Sequence, residues 1–343
     1  MKKVAVLTGG GDAPGLNAVI RGIVRKLHNN GVETIGIIEG WRGIIEGNTT
    51  PLTIEETLDT IHIGGTMIGS SRTNPFKEPE KSIPKIIDNV KKLGIDCLIA
   101  IGGDDTLGAA AKLYQQEKIP TVGVPKTIDN DLRGTEYTFG FDTAISRATE
   151  AFDWLRTTAK SHRRCLVVEC MGRHAGWITA FSGIAGGADY ILIPEKEPDI
   201  EELCAVLKRN RERGKKYNLV AVSEGAKLAG EEVLQTAEKD EFGNVRLGGV
   251  GQTLAKIIEK KTGIECRHVV LGHLQRGGPP SAYDRVLGTR YGLAAAQAAL
   301  DGKFGKMVAL RGDTIVTADI SEVQGGYKTL RPDILAVLEE FST

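Results

Sequence analysis

The stretch Lys3-Val4-Ala5-Val6-Leu7-Thr8-Gly9-Gly10-Gly11-Asp12-Ala13-Pro14-Gly15-Leu16-Asn17 carries the logic of the whole fold. Its opening apolar run is short and closed by three glycines, so it reads as a buried strand rather than a helix. A helix is expected over residues 15 to 29. Asp12 is positioned to cap it and Pro14 suits a first helical turn. Strand, glycine turn and helix make the first step of a parallel βα unit. The glycines let backbone N–H groups approach a ligand, and a helix N-terminus is a natural phosphate site. The spacing matches neither the dinucleotide fingerprint G-x-G-x-x-G nor the Walker G-x-x-x-x-G-K-[ST]. A dinucleotide-binding oxidoreductase is therefore disfavoured.

Moving outward, the same alternation recurs. Strands are expected at 3–8, 34–39, 97–101, 121–125, 165–171, 190–194, 218–223, 267–271 and 307–311. Helical patterns fall at 15–29, 54–61, 81–93, 105–117, 141–159, 174–186, 199–212, 249–262 and 283–302. Buried strands separated by crossover helices predict an α/β protein with mostly parallel sheets. At 343 residues the length favours two domains. A boundary is expected near Gly140, and no Pro- or Ser-rich linker separates the halves, so two doubly wound domains should pack around a shared cleft. Residues 225–249 are polar and read as a surface loop or hairpin.

Lys plus Arg and Asp plus Glu each total 44, so the formal net charge is zero. Broad attraction to nucleic acid or anionic membrane needs a cationic surplus, and any anion here must be bound locally. Hydrophobic residues are 41% and charged residues 26%, which is ordinary globular usage. Glycine is the outlier, at 43 residues of 343 against an average near 7%. No apolar run approaches the ~18 residues of a membrane span. The N-terminus lacks a cleavage pattern. The cysteines Cys97, Cys165, Cys170, Cys204 and Cys266 form no metal-binding spacing and suit reduced thiols of a cytoplasmic protein.

Three further constellations lie at strand ends, where open α/β sheets bind ligands. In Gly102-Gly103-Asp104-Asp105-Thr106 two carboxylates follow two glycines. Mg²⁺ carrying a substrate phosphate takes only one or two carboxylates and suits this pattern; a helix-capping pair is the plainer alternative. In Lys126-Thr127-Ile128-Asp129-Asn130-Asp131 an extended backbone would put Thr127, Asp129 and Asp131 on one face, offering a base, a hydroxyl donor and a cation. The last group comprises Arg164, Met171-Gly172-Arg173, Glu224, Arg267 and Gly272-His273-Leu274-Gln275-Arg276-Gly277-Gly278. Arginines beside strand ends suit bidentate phosphate binding, although each taken singly also fits a surface salt bridge.

These strings, with Gly10-Gly11-Asp12-Ala13-Pro14-Gly15, occur in the order found in the 6-phosphofructokinase family, which the chain resembles over nearly its whole length. The resemblance implies Mg²⁺-dependent phosphoryl transfer to the 1-hydroxyl of fructose 6-phosphate. It implies a donor domain of residues 1–140 plus about 275–303, and a sugar-phosphate domain of 141–274 plus about 304–343. Asp129 would be the base, Asp104 the Mg²⁺ ligand, and Thr127 a contact of the transferring group. Gly10, Gly11, Arg72, Asp105 and Lys126 would hold the donor. Thr127, Ile128, Asp129, Met171, Gly172, Arg173, Glu224, His273, Leu274, Gln275 and Arg276 would face the sugar phosphate. Arg164 and Arg267 would reach the 6-phosphate of a neighbouring subunit, which implies a homodimer or homotetramer.

Two residues depart from the ATP-using pattern of that family: Asp105 and Lys126 each stand where it has glycine. Both departures match pyrophosphate-dependent members. A carboxylate about 4 Å from the α-phosphate of ATP would repel it by roughly 4 kcal/mol at an effective dielectric near 20. Pyrophosphate is therefore the expected donor. An ATP-dependent or mixed-donor enzyme is the nearest rival, and a non-catalytic phosphometabolite sensor is the rival from another class. Arg21, Arg25, Arg156, Lys215 and Lys216 resemble the family's effector-binding cations, but Ile54 and Tyr217 replace an arginine and a histidine, so weak or absent regulation is expected.

Overall fold

The structure is a computed structural model describing residues 1–228, 236–239, 245–246 and 249–341. The first half runs β1 (Lys3–Thr8), α1 (Leu16–His28), β2 (Glu33–Ile37), α2 (Trp41–Glu46), β3 (Thr49–Pro51), α3 (Ile54–Thr57), α4 (Pro79–Leu93), β4 (Cys97–Gly102), α5 (Asp104–Glu117) and β5 (Thr121–Pro125). It continues with α6 (Phe141–His162), β6 (Cys165–Cys170), α7 (Trp177–Ala185), β7 (Tyr190–Leu192), α8 (Ile200–Glu212), β8 (Asn218–Ser223), β9 (Thr236–Lys239) and β10 (Val245–Arg246). The remainder is α9 (Val250–Thr262), β11 (Cys266–Val270), α10 (Ala282–Leu300), β12 (Lys306–Arg311), β13 (Thr314–Asp319) and α11 (Pro332–Phe341).

The large sheet has the order β13-β12-β5-β4-β1-β2-β3 and the small one β11-β6-β8-β7. All pairs are parallel except β2–β3 and β12–β13 at the edges of the large sheet. The α/β architecture with two mostly parallel sheets is thus as expected. Period-two side-chain alternation builds a core on each face of the large sheet. Val4, Val6, Ile99 and Ile101 pack with Ile20, Ile23 and Leu27 of α1 on one face. Ala5, Leu7, Leu98 and Ala100 pack with Trp41, Ile86 and Leu113 on the other. The chain leaves β1 towards β2 on one side and later returns to β4 on the other, so the switch point falls at the carboxyl ends of β1 and β4, where a ligand crevice is expected.

Three expectations need correction. Residues from about 304 onward were assigned to the sugar-phosphate domain, yet β12 and β13 extend the large sheet beside β5; in this tail only α11 follows the small-sheet side, against α7. Residues 127–131 form a turn rather than an extended strand, with Asn130 at φ 51. The first helix is capped by Gly15 at φ 105, and Asp12 and Pro14 lie outside it. The polar 225–249 stretch falls largely outside the described residues, although β9 and β10 within it pair antiparallel.

Candidate active site

The carboxyl ends of strands from both sheets converge on one cleft. Ladder-like hydrogen bonds continue past the strand ends and fix the loops: Gly9 N donates to Ile101 O (3.0 Å), Lys126 N to Gly102 O (2.9 Å) and Glu224 N to Cys170 O (2.9 Å). The cleft is lined from the large sheet by Gly10, Gly11, Arg72, Asp104, Asp105, Lys126, Thr127 and Asp129. Met171, Arg173 and Glu224 come from the small sheet, with Arg276 from the segment before α10. Residues separated by up to 317 positions in the chain therefore meet, between Gly10 and Tyr327.

Glycine at two strand ends has a steric reason. A Cβ on Gly9 or Gly102 would lie 2.5 Å or 2.3 Å from the Thr106 side chain, so the β1 and β4 turns close on one buried hydroxyl. The cap position of α5 is Gly103, which puts Asp104 and Asp105 inside its first turn. There they gain from the helix dipole while still lining the cleft.

Lys126 is almost fully buried and its ammonium donates to Gly11 O at 2.5 Å. Burial, helped by Arg276 nearby, lowers its pKa to about 8. Arg276 Nη1 donates to Asp12 O at 3.0 Å, tying the segment before α10 to the first glycine loop. Asp129 N donates to Thr127 Oγ1 (3.0 Å), and Thr138 Oγ1 donates to Thr127 O (2.8 Å). These bonds shape a turn in which Asp129 Oδ1 is buried without a partner. An orphaned carboxylate oxygen is costly unless a ligand meets it. On the opposite wall Gly172 N donates to Glu224 Oε1 (3.3 Å) and Met171 N to Gln275 Oε1 (3.3 Å). Burial, reinforced by Asp129, raises Glu224 to about 7.

A model of the phosphofructokinase family matches residues 3–299. The chain belongs to the phosphofructokinase family. It is 55% identical to the pyrophosphate–fructose 6-phosphate 1-phosphotransferase of Streptomyces coelicolor, over 96% of each chain. It is 47% identical to the ATP-dependent 6-phosphofructokinase of Corynebacterium efficiens, over 95% of this chain and 94% of that one. The phosphofructokinase of Saccharomyces cerevisiae superimposes with a TM-score of 0.82 at 31% identity; the match covers all of this chain and 47% of that longer one.

In this phosphofructokinase some residues implied by the resemblance lie elsewhere. Ile128 and Gln275 are buried behind the cleft wall. His273 and Leu274 face outward, lining a surface hollow with Trp154 and Val270. Arg164 and Arg267 both pair with Glu265, at 3.2 and 2.8 Å. They sit at the amino ends of β6 and β11, whereas the sugar-side residues follow the carboxyl end of β6. A strand of six residues separates the two ends by about 15–20 Å, so neither arginine serves its own chain's cleft.

The cleft also holds Asp131, which the sequence reading placed on one face with Thr127 and Asp129, and three residues to which that reading gave no role: Thr106, His174 and Tyr327. Burial and Asp129 beside it push the Asp131 carboxyl well up. Burial and the neighbouring Arg173 hold His174 below the ordinary histidine range. Position offered a hint for Thr106 and Asp131, which close quoted motifs, and for His174, which follows Arg173. For Tyr327 there is no sequence signal, because only the tertiary fold returns it to the cleft. Of the cations resembling an effector site, Lys215 pairs with Asp189 and Arg156 donates to Gly186 O; the buried Nε atoms of Arg21 and Arg25 lack a partner.

Proposed function

We infer that this chain transfers a phosphoryl group from pyrophosphate to the 1-hydroxyl of fructose 6-phosphate, giving fructose 1,6-bisphosphate and phosphate, in a reversible glycolytic step. The observation that carries the reading is the pair Asp105 and Lys126, both lining the cleft beside the Thr127–Asp129 turn. A carboxylate opposes a longer polyphosphate at that point, and a cation stands ready for a phosphate leaving group. Relatives at 54–55% identity that carry the pyrophosphate-dependent name support it.

Phosphoryl transfer depends on positioning and charge neutralisation more than on covalent chemistry. Asp129 Oδ1 would accept the proton of the 1-hydroxyl as that oxygen attacks the phosphoryl group, with Thr127 beside the group in flight. The N–H group of Gly11, the Arg72 guanidinium and the Lys126 ammonium would hold the donor, with Gly10, whose N–H donates to Ser71 O, shaping the loop beside it. Lys126 would neutralise the phosphate that departs. Arg173, Glu224, Met171, Gly172 and Arg276 would orient the sugar phosphate.

Among the described residues no three His, Cys, Asp or Glu side chains form a metal cage. The carboxylates of Asp104 and Asp105 in the cleft suit Mg²⁺, which binds through one or two carboxylates and completes its shell with phosphate and water; Asp104 would hold it. The ion would supply neutralisation of the donor's phosphate charge.

The remote Arg164 and Arg267 support a homodimer or homotetramer, in which they would complete a neighbour's 6-phosphate site. Among the described residues no helix is long and apolar enough to cross a membrane, and a cytoplasmic location is proposed with the glycolytic role. Purified protein assayed with fructose 6-phosphate and Mg²⁺ against pyrophosphate, ATP, ADP and polyphosphate should turn over fastest with pyrophosphate. ATP turnover equal to or above that rate would overturn the donor assignment.

A further inference from the structure

Tyr327 and His174 meet over the donor end of the cleft, with ring centroids 3.9 Å apart and planes 12° from parallel. His174 follows β6 of the small sheet, while Tyr327 follows the turn Ile320–Gln324 that packs on α5 of the large one. The stack therefore joins the two lobes. Tyr327 is 39% exposed, yet its backbone is pinned. It bridges to Leu132, and the next residue, Lys328, donates its N–H to Asp131 O at 2.7 Å. The Lys328 ammonium donates to Asn130 Oδ1, Thr135 O and Glu136 O at 3.0, 3.1 and 2.8 Å.

A second cavity of about 430 Å³ adjoins the cleft, walled by Phe76, Gly108, Lys112, Val323 and Gln324. Asp104, Asp105 and Tyr327 line both spaces. The passage from one to the other thus runs past these three side chains, Asp104 and Asp105 on α5 and Tyr327 opposite. Pyrophosphate held by Gly11, Arg72 and Lys126 would end before this passage, and a third phosphate, or a nucleoside beyond it, would have to enter it.

We propose that Tyr327, steadied by its stack on His174, is a second donor-specificity residue: its ring narrows the passage and limits the donor to two phosphates. Asp105 excludes by charge and Tyr327 by bulk, so their effects combine. The proposal rests on pyrophosphate being the donor.

The test is kcat/KM for pyrophosphate, tripolyphosphate and ATP at saturating fructose 6-phosphate, in the wild type, Tyr327→Ala, Tyr327→Phe, His174→Ala, Asp105→Gly and Asp105→Gly/Tyr327→Ala. Tyr327→Ala should raise the tripolyphosphate-to-pyrophosphate ratio about tenfold or more, the size of effect that pocket shape supplies. Tyr327→Phe, which keeps the ring, should leave the ratio at the wild-type value. His174→Ala should shift it in the same direction by less, and the double variant should use ATP better than Asp105→Gly alone. An unchanged ratio in Tyr327→Ala overturns the proposal, as does an equal fall with every donor or a Tyr327→Phe variant that behaves like Tyr327→Ala. A wild type that uses ATP as well as pyrophosphate would instead overturn the donor assignment, so the two failures are distinguishable.

Discussion

Asp105 and Lys126 contribute opposite charges to one cleft, and together they leave the net charge of the chain unchanged. Composition therefore carries no trace of them, whereas their surroundings make each one consequential. Lys126 is buried against Gly11 O in a space shared with Arg276, and its pKa falls to about 8. Below that pH the ammonium is present and can meet a phosphate. As pH rises through about 8 the proton leaves, and with it the charge that attracts the donor. Because kcat/KM reports ionisations of the free enzyme, kcat/KM for pyrophosphate should fall on the alkaline side with an apparent pKa near 8. Lys126→Met should lower the plateau about a hundredfold or more, the loss typical of a removed transition-state donor, and abolish this alkaline limb. A limb that persists unchanged in Lys126→Met would assign the ionisation to another group.

Among the elements, α1 and α10 pack extensively against each other, and their seam shows where part of the glycine excess goes. A Cβ on Gly292 would lie 2.2 Å from Val19 O, one on Gly22 2.8 Å from Thr289 O, and one on Gly288 3.0 Å from Gly15 O. The two helices meet backbone to backbone, so glycine there serves close approach within helices rather than a turn. In an open helix Gly→Ala stabilises by up to about 1 kcal/mol. Here Gly292→Ala should destabilise, by about 1–3 kcal/mol as overpacking does, and lower Tm by several degrees in calorimetry. An unchanged or raised Tm would mean the helices separate without cost. The sequence reading located glycines only at ligand loops, because a seam between helices distant in sequence has no local pattern. The same distinction separates the legible elements from the rest. β1, β4, β5, β6 and β8 are buried apolar runs ended by turn or polar residues, and their outlines were readable. β13 is a mostly exposed edge strand, and β3 is three residues ending in Pro51, so neither carries a core pattern. α2 was hidden because it is only six residues long, contains Gly43 and is flanked by Gly40 and Gly47. Asp104, Lys126, Asp129 and Arg173 were legible as strand-end chemistry. Tyr327 was not, because its place depends on a bridge to Leu132.

At the scale of the whole molecule, one chain supplies a nearly complete cleft and leaves two arginines at the wrong end of the small sheet. Arg164 and Arg267 share Glu265 at the amino ends of β6 and β11, while a separate hollow past the carboxyl end of β11 exposes Trp154 by 67%, Val270 by 50% and Leu274 by 75%. Three large apolar side chains exposed around one hollow are the mark of an interaction surface, and in the proposed homo-oligomer each subunit's arginines would reach the other's sugar phosphate. The arrangement predicts complementation between two defective proteins. Asp129→Asn lacks the base but keeps Arg267, and Arg267→Ala lacks the arginine but keeps the base. In a mixed dimer the Arg267→Ala subunit has its own Asp129 and borrows the partner's Arg267, giving one working site, while the other site lacks both groups. Random re-pairing of equal amounts makes half the dimers mixed, each with one of two sites active, so activity should recover to about a quarter of wild type. If every site is built within one chain, mixing after dissociation and reassociation restores nothing above the separate variants, and the shared-site reading fails even though the reaction itself stands.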